Sequence, residues 1–398
     1  APAGRVSTYI EVPLAGADER KLRPDGAIVI ERGRTRWACL VEVKTGGNPL
    51  RDDQVDQYLA LAREHGFDAV LTISNEIAAV PGELPVSVDG RRLRGRKLAH
   101  LSWWRILTEA IVQHEHRGVS DPDQAWILGE LIAYLRHPRT GTGAFDDLGE
   151  HWVAVRNAAR QNTLRRGKET ASVVARWEEF TQYVCLGLCQ ELGREVTPVY
   201  RRGLTPAARR DATERELVEN ARLTATLRVP DAVGPITIEA DLRARQVTTS
   251  VEVDAPGDGR PKTRVNWLLR QLNDAPGDLR VEAAFTGSRQ TTSCLFDACR
   301  EQPERLLLPG DDKRPPRRFT VAATRPMGSK RGRGDDSFVS VTQRQLIDFY
   351  RDLVQNLRPW AARAPRLREV EESVEARVDV ATDRPDGEPV QAPDTADE

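Results

Sequence analysis

Residues 27–31 and 37–43 are apolar except for Glu31 and Glu42, on either side of Arg32-Gly33-Arg34. Two short apolar runs joined by a glycine-containing turn predict a β-hairpin. Before it, residues 7–14 read as a short strand or an irregular apolar segment. After it, Thr45-Gly46-Gly47-Asn48-Pro49 breaks the strand, and Asp52 or Asp53 opens a helix that runs to about His65 and stops at Gly66. Residues 69–74, rich in Val, Leu and Ile, read as a buried strand. A basic loop at 91–97 leads into a strand through Leu101 and a helix from Trp103 to about His114. Strands and helices in this order predict an α/β domain over residues 1–118.

From Asp121, the residues Ile127, Leu128, Leu131, Ile132 and Leu135 recur at helical spacing until Pro138. A longer helix over about 170–192 repeats the pattern with Val173, Trp177, Phe180, Val184 and Leu188. Residues 119–194 are therefore expected to form a helical bridge. The second half changes character. Residues 236–242 and 247–253 alternate as strands, 264–272 read as a helix, and 279–285 and 319–323 as further strands. With an amphipathic helix at 343–357, they predict an α+β domain over 195–358. From residue 359 the density of Glu, Asp and Pro predicts a disordered acidic tail.

A chain of 398 residues has room for two or three domains, each with its own core. It has no apolar run near eighteen residues, which excludes a membrane-spanning helix, and no signal-peptide pattern, which makes the cytoplasm the expected location. Five cysteines, an odd count without zinc-ribbon spacing, are expected as reduced thiols. The formal net charge is −1, but it is unevenly spread. Residues 369–398 carry eleven acidic and two basic side chains, which leaves a net of +8 on the rest. A basic body with an acidic tail fits a nucleic-acid partner, although arginine excess also occurs without one. Only seven of the basic residues are lysines, so Lys44 at the end of an apolar strand stands out.

That lysine completes a motif. Arg23-Pro24-Asp25-Gly26 precedes the hairpin, and the second hairpin strand ends in Cys39-Leu40-Val41-Glu42-Val43-Lys44. Strand alternation puts Glu42 and Lys44 on the same side. Two carboxylates and a lysine converging at a sheet edge suit a hydrated divalent cation that cuts a phosphodiester. The arrangement resembles the PD-(D/E)XK nuclease superfamily, with Pro24-Asp25 as one half of the signature and Glu42-Val43-Lys44 as the other. The next helix carries Gln54 and Tyr58, four residues apart on one face, as in the QxxxY signature of the RecB-like branch.

The resemblance covers about residues 8–115. It implies a restriction-endonuclease-like mixed sheet flanked by helices, and Mg²⁺ or Mn²⁺ held by Asp25, Glu42 and the Val43 carbonyl. A further acidic ligand is implied, for which Glu11 is the best candidate and Glu19 the next. The chain enters strand-like sequence almost at Ala1, and a ligand upstream of it is the other expectation. Lys44 would orient the attacking water, Gln54 would bond a phosphate or water, and Tyr58 would buttress the lysine. The bland readings are a turn aspartate, a surface ion pair and a half-buried tyrosine.

Basic clusters at Arg92, Arg94, Arg96 and Lys97, at Arg165, Arg166 and Lys168, and at 313–318 and 330–333 are expected to neutralise phosphates. The six histidines show no ligand spacing, and Trp103 and Trp104 are expected to pack in the core. The expected function is a metal-dependent DNA nuclease in genome defence, repair or stress response, with DNA as the partner on the resemblance alone. The alternative is a catalytically degenerate nuclease fold that binds nucleic acid or acts as a scaffold. The C-terminal domain is left with two roles, sensing a ligand or partner that gates the cutter, or building a homo-oligomer.

Overall fold

The hairpin forms from the two apolar runs on either side of Gly33. A computed structural model describes residues 4–14, 23–46, 48–78, 83–86, 88–140, 142, 145, 147–328 and 334–361. In it β1 (Arg5–Ile10), β2 (Gly26–Arg32) and β3 (Thr35–Val43) run antiparallel. Gly33 occupies the first position of the two-residue turn with φ +60°, where an L side chain would be strained. Helix α1 (Asp52–Glu64) then carries the chain across to β4 (Ala69–Ser74), parallel to β3. The short α2 (Gly90–Leu93) precedes β5 (Lys97–Ser102), parallel to β4. Parallel neighbours need such crossovers, because no tight turn can join them. The strands lie in the order β1-β2-β3-β4-β5, a mixed sheet.

Helix α1 covers one face of this sheet. Leu40 and Val70 from the strands pack with Val55, Leu59 and Ala62 of the helix, and Leu98 of β5 joins them. On the other face Val6, Ile10, Ile30 and Leu101 remain exposed. Helix α3 (Trp103–Ile111) comes directly after β5 and runs into a π-helical turn at Val112–Arg117. Helix α4 (Pro122–Arg136) starts at Pro122 after the Asp121 cap and lays Ile132 and Leu135 on Leu107 and Ile111 of α3.

Helices α5 (Trp152–Arg160) and α6 (Lys168–Leu192) belong with the second, larger sheet. After β6 (Thr197–Pro198) and α7 (Pro206–Asn220) come β7 (Arg222–Arg228), β8 (Ile236–Asp241) and β9 (Gln246–Asp254). Then α8 (Pro261–Gln271), β10 (Arg280–Phe285), β11 (Thr291–Leu295), α9 (Phe296–Glu301), β12 (Pro316–Pro326) and α10 (Phe338–Asp352) complete the described chain. The seven strands pair antiparallel in the order β11-β10-β12-β9-β8-β7-β6. Their inward residues, among them Leu223, Ile238, Val251, Val281 and Phe319, share one core with Trp152 of α5, Trp177 and Phe180 of α6, and Phe338 of α10. The outward residues of the same strands, such as Thr237, Thr248 and Glu252, are polar, the alternation of a one-sided sheet.

The chain is thus mixed α/β, with one mixed and one antiparallel sheet, and Ala1–Trp360 cluster as one compact unit. Residues 119–194 divide: α4 stays with α3, while α5 and α6 sit in the core of the large sheet. The predicted acidic tail from residue 362 lies outside the described residues, as do Glu19 and the cluster at 330–333. No helix among the described residues is long and apolar enough to cross a membrane.

Phe180 sits at the centre of the aromatic cluster, 5.4 Å from Trp177 and 5.6 Å from Phe338 by ring centroids. Phe180→Ala should cost about 3–5 kcal/mol, the range for emptying a buried aromatic site. Denaturant unfolding monitored by circular dichroism measures it, and a loss below about 1 kcal/mol would contradict the placement of α6 in that core.

Candidate active site

The polar end of the small sheet is built by strand register. Gly26 pairs with Val41, so the residue before it, Asp25, falls beside Glu42 on the face that α1 covers. Pro24 would come opposite Val43 next, but a proline has no N–H to donate, and the ladder stops. The Val43 amide donates instead to Asp25 Oδ2 at 2.7 Å. Its carbonyl, on the same side of the strand, therefore points toward Asp25 with no proline donor to claim it. Glu11 closes the arrangement from β1, its amide donating to the Asp25 carbonyl at 2.8 Å. Glu11 holds φ +51°, an uncommon backbone for a residue with a side chain.

Glu42 lies deepest. It is 3 % exposed, and its Oε1 accepts from Lys44 Nζ at 2.5 Å and from Gln54 Nε2 at 2.7 Å. The Tyr58 hydroxyl also bonds this carboxylate, and Tyr58 is itself buried. Helical spacing explains why both α1 residues arrive together, one turn apart on the face toward the sheet. Burial pushes the Glu42 carboxyl above its ordinary range, the bonds from Lys44 and Tyr58 work against that, and the charge on Asp25 adds to it. Burial and the neighbouring Glu42 likewise push the Tyr58 phenol up.

Glu42 Oε2 accepts no hydrogen bond and is shut from solvent. Leaving a buried charged acceptor unmatched costs more than the 1–3 kcal/mol or so of a neutral one, and either a proton or a bound cation removes that cost. With Asp25 alongside and the Val43 carbonyl turned the same way, the donors are hard oxygens, which suit Mg²⁺ or Mn²⁺. No group of three His, Cys, Asp or Glu side chains that could hold a metal occurs among the described residues. A cation here would accordingly rest on two carboxylates, the carbonyl and water.

Asp25, Glu42, Val43, Lys44, Gln54 and Tyr58 are therefore brought together. Glu11 is beside them through its backbone, and its exposed carboxylate is paired with Arg23 at 2.5 Å. The first basic cluster does not converge on the site. Cys39, Ala69 and Lys97 are in register at one end of the sheet, and Val43, Ile73 and Leu101 at the other, so Lys97 is some four residues, about 13 Å, from the acidic end. Arg96 is spent at that far end on the Phe67 carbonyl, beside Arg94, and Arg92 pairs with Asp56 of α1. In the second cluster Arg166 is tied to Asp211 and Glu214, while Arg165 and Lys168 stay exposed. In the third, Arg314 pairs with Asp311, and Arg318 with Glu252 and Asp254. Arg92 and Arg166 thus face acidic partners, while Arg96 is bonded only to backbone carbonyls.

Three further residues bear on the site. The Trp103 indole donates to the Lys44 carbonyl at 2.9 Å, and the Lys44 amide donates to the Ile73 carbonyl at 2.8 Å, so the lysine's backbone is held from β4 and from α3. Thr72 and His100 stand in register with Glu42 and continue its row across β4 and β5. His100 bonds Thr72 and the Glu76 carbonyl, and burial lowers its pKa. Only a correct sheet register could have identified these two. Comparison of this chain with protein-family models, with curated proteins and with solved structures finds no match.

The raised Glu42 pKa has a definite sign. A carboxyl whose folded pKa exceeds its unfolded value favours folding while protonated, and that contribution is lost as pH rises through the folded pKa. The stability of the wild type relative to Glu42→Gln should therefore fall as pH rises from the ordinary carboxyl value of 4.5. Paired urea titrations across that window measure it, and a pH-independent difference would refute the assignment.

Proposed function

We propose that this chain is a metal-dependent nuclease of the PD-(D/E)XK type that hydrolyses phosphodiester bonds in DNA. The observation that carries the reading is the meeting of Asp25, Glu42 and Lys44 at one sheet edge, with Glu42 Oε2 buried and unmatched. The order of the motif, the hairpin between its halves and the Gln54–Tyr58 pair on α1 support it further.

Asp25, Glu42 and the Val43 carbonyl would hold Mg²⁺ or Mn²⁺, which when bound polarises a phosphate oxygen and lowers the pKa of a coordinated water. The chain's own residues set the geometry. Gln54 and Tyr58 hold the Glu42 carboxylate from α1, and its Oε2 is left buried without a hydrogen-bond partner. Lys44, its side chain 21 % exposed, brings a positive charge to where negative charge grows on the phosphoryl oxygens. Trp103 and β4 hold the lysine backbone, so its ammonium pivots about a fixed point. The choice of DNA rests on the resemblance, and the biological setting on analogy with genome defence, repair and stress-response nucleases.

Digestion of plasmid, linear DNA and RNA with Mg²⁺ or Mn²⁺ tests the proposal. The wild type should cut DNA, chelation should stop it, and Asp25→Ala and Lys44→Ala should each lose about 10²–10³-fold in rate. Equal cutting by all three proteins would move the activity elsewhere. No cutting by the wild type would favour a degenerate fold that binds without hydrolysing.

A further inference from the structure

The face of the small sheet that carries the acidic edge continues outward along β1. Tyr9 pairs with Ala27, two residues from Asp25 on the same face of β2. Tyr9 and Asp25 are therefore diagonal neighbours, rooted about 7–8 Å apart. Ser7 opposite Val29 and Arg5 opposite Glu31 follow Tyr9 at steps of two on that face. Arg36 of β3 stands on the other side of Glu31 and ends the row. Asp25 and Glu31 are six residues apart, about 20 Å of strand.

This row is open. The core beneath α1 draws on β2 to β5 and takes no residue of β1. Tyr9 is 54 % exposed, and Arg5, Glu31 and Arg36 are exposed as well. Among the described residues neither arginine forms an ion pair, not even with Glu31 between them. Arg32 and Arg34 stand exposed in the adjoining turn. At the other end of the row, the Glu11 carboxylate is already matched by Arg23.

We infer that β1 guides a single strand of DNA to the acidic edge. Tyr9 stacks on the base next to the bond to be cut, and Arg5 and Arg36 hold the backbone further along. An aromatic ring beside a run of cationic side chains grips an unpaired strand without reading its sequence. The ring selects the unpaired form, because inside a duplex both faces of a base are covered by its neighbours. The inference rests on the nuclease reading and narrows its substrate to single-stranded DNA. Tyr9 binds and takes no part in the bond change.

Fluorescence anisotropy in EDTA, where nothing is cut, reads this track apart from the reaction. The probes are a labelled oligo-dT of about 20 nucleotides and a duplex of the same length, enough to span one binding track. The wild type should prefer the single strand. Tyr9→Ala should weaken single-strand binding by about 5–150-fold, the worth of one stacked base, and leave duplex binding unchanged. Tyr9→Phe keeps the ring and should bind as the wild type does. Arg5→Gln should lower the slope of log affinity against log salt by about 0.7, one phosphate contact, whereas Tyr9→Ala should not change it. Both side chains are exposed, so the thermal melts of these variants should match the wild type. Tighter binding of the duplex, or single-strand binding indifferent to Tyr9→Ala, would overturn the inference. Cutting with Mn²⁺ but no effect of Tyr9→Ala would end the inference and keep the nuclease reading. The Tyr9→Ala effect without any cutting would keep the strand track and end the nuclease reading.

Discussion

A carboxylate that is almost wholly shut from water has to be compensated, and the compensation of Glu42 sets the geometry around it. Lys44 and Gln54 both donate to its Oε1, which leaves Oε2 bare. The asymmetry arises from the fold: the lysine comes from the same strand face two residues on, and the amide comes from the helix that covers that face. Asp25 approaches from β2 because Pro24 ends the ladder there and frees the Val43 amide for a side chain. One buried charge thus connects a strand pair, a crossover helix and a proline.

The surroundings are arranged to keep that cluster in place. Glu76 accepts from the Leu50 amide at 3.2 Å, which fastens the approach to α1 onto the end of β4. Ser102 caps α3 through the Arg105 amide at 3.0 Å, and the helix so started presents Trp103 to Lys44. The large antiparallel sheet contributes nothing to the cluster directly. Its core, organised on α6 and α10, is a separate body of apolar packing within the same compact unit.

The small sheet is legible in the sequence because its signals are local. The two apolar runs within 27–43, the Gly33 turn and the Asp52 start of α1 are each decided within a few residues, and they place Glu42, Lys44, Gln54 and Tyr58 without knowledge of the rest. Features that depend on register stay hidden. Thr72 and His100 join the row of Glu42 only because β4 and β5 pair in one particular phase. The basic clusters look like free charge along the chain, but Asp56, Asp211 and Glu214 are distant in sequence and neutralise Arg92 and Arg166. Helices α5 and α7 and strand β7 give weaker signals. In α7 the apolar stripe is thin among arginines, glutamates and alanines, and Leu217 is its one deeply buried large apolar side chain, so its periodicity is faint. Helix α6 reads as a long amphipathic helix, yet it is buried nearly all round its middle turns, and a surface bridge and a core helix differ in their neighbours more than in their pattern.

The central claim is that Asp25 and Glu42 together hold one divalent cation at the edge of the small sheet. Anomalous-difference maps from crystals soaked in Mn²⁺ address it most directly. The account requires a single strong peak between the two carboxylates, adjoining the Val43 carbonyl and absent from Asp25→Asn crystals. A cation bound elsewhere with this edge left empty, or a peak that survives the substitution unchanged, would contradict it.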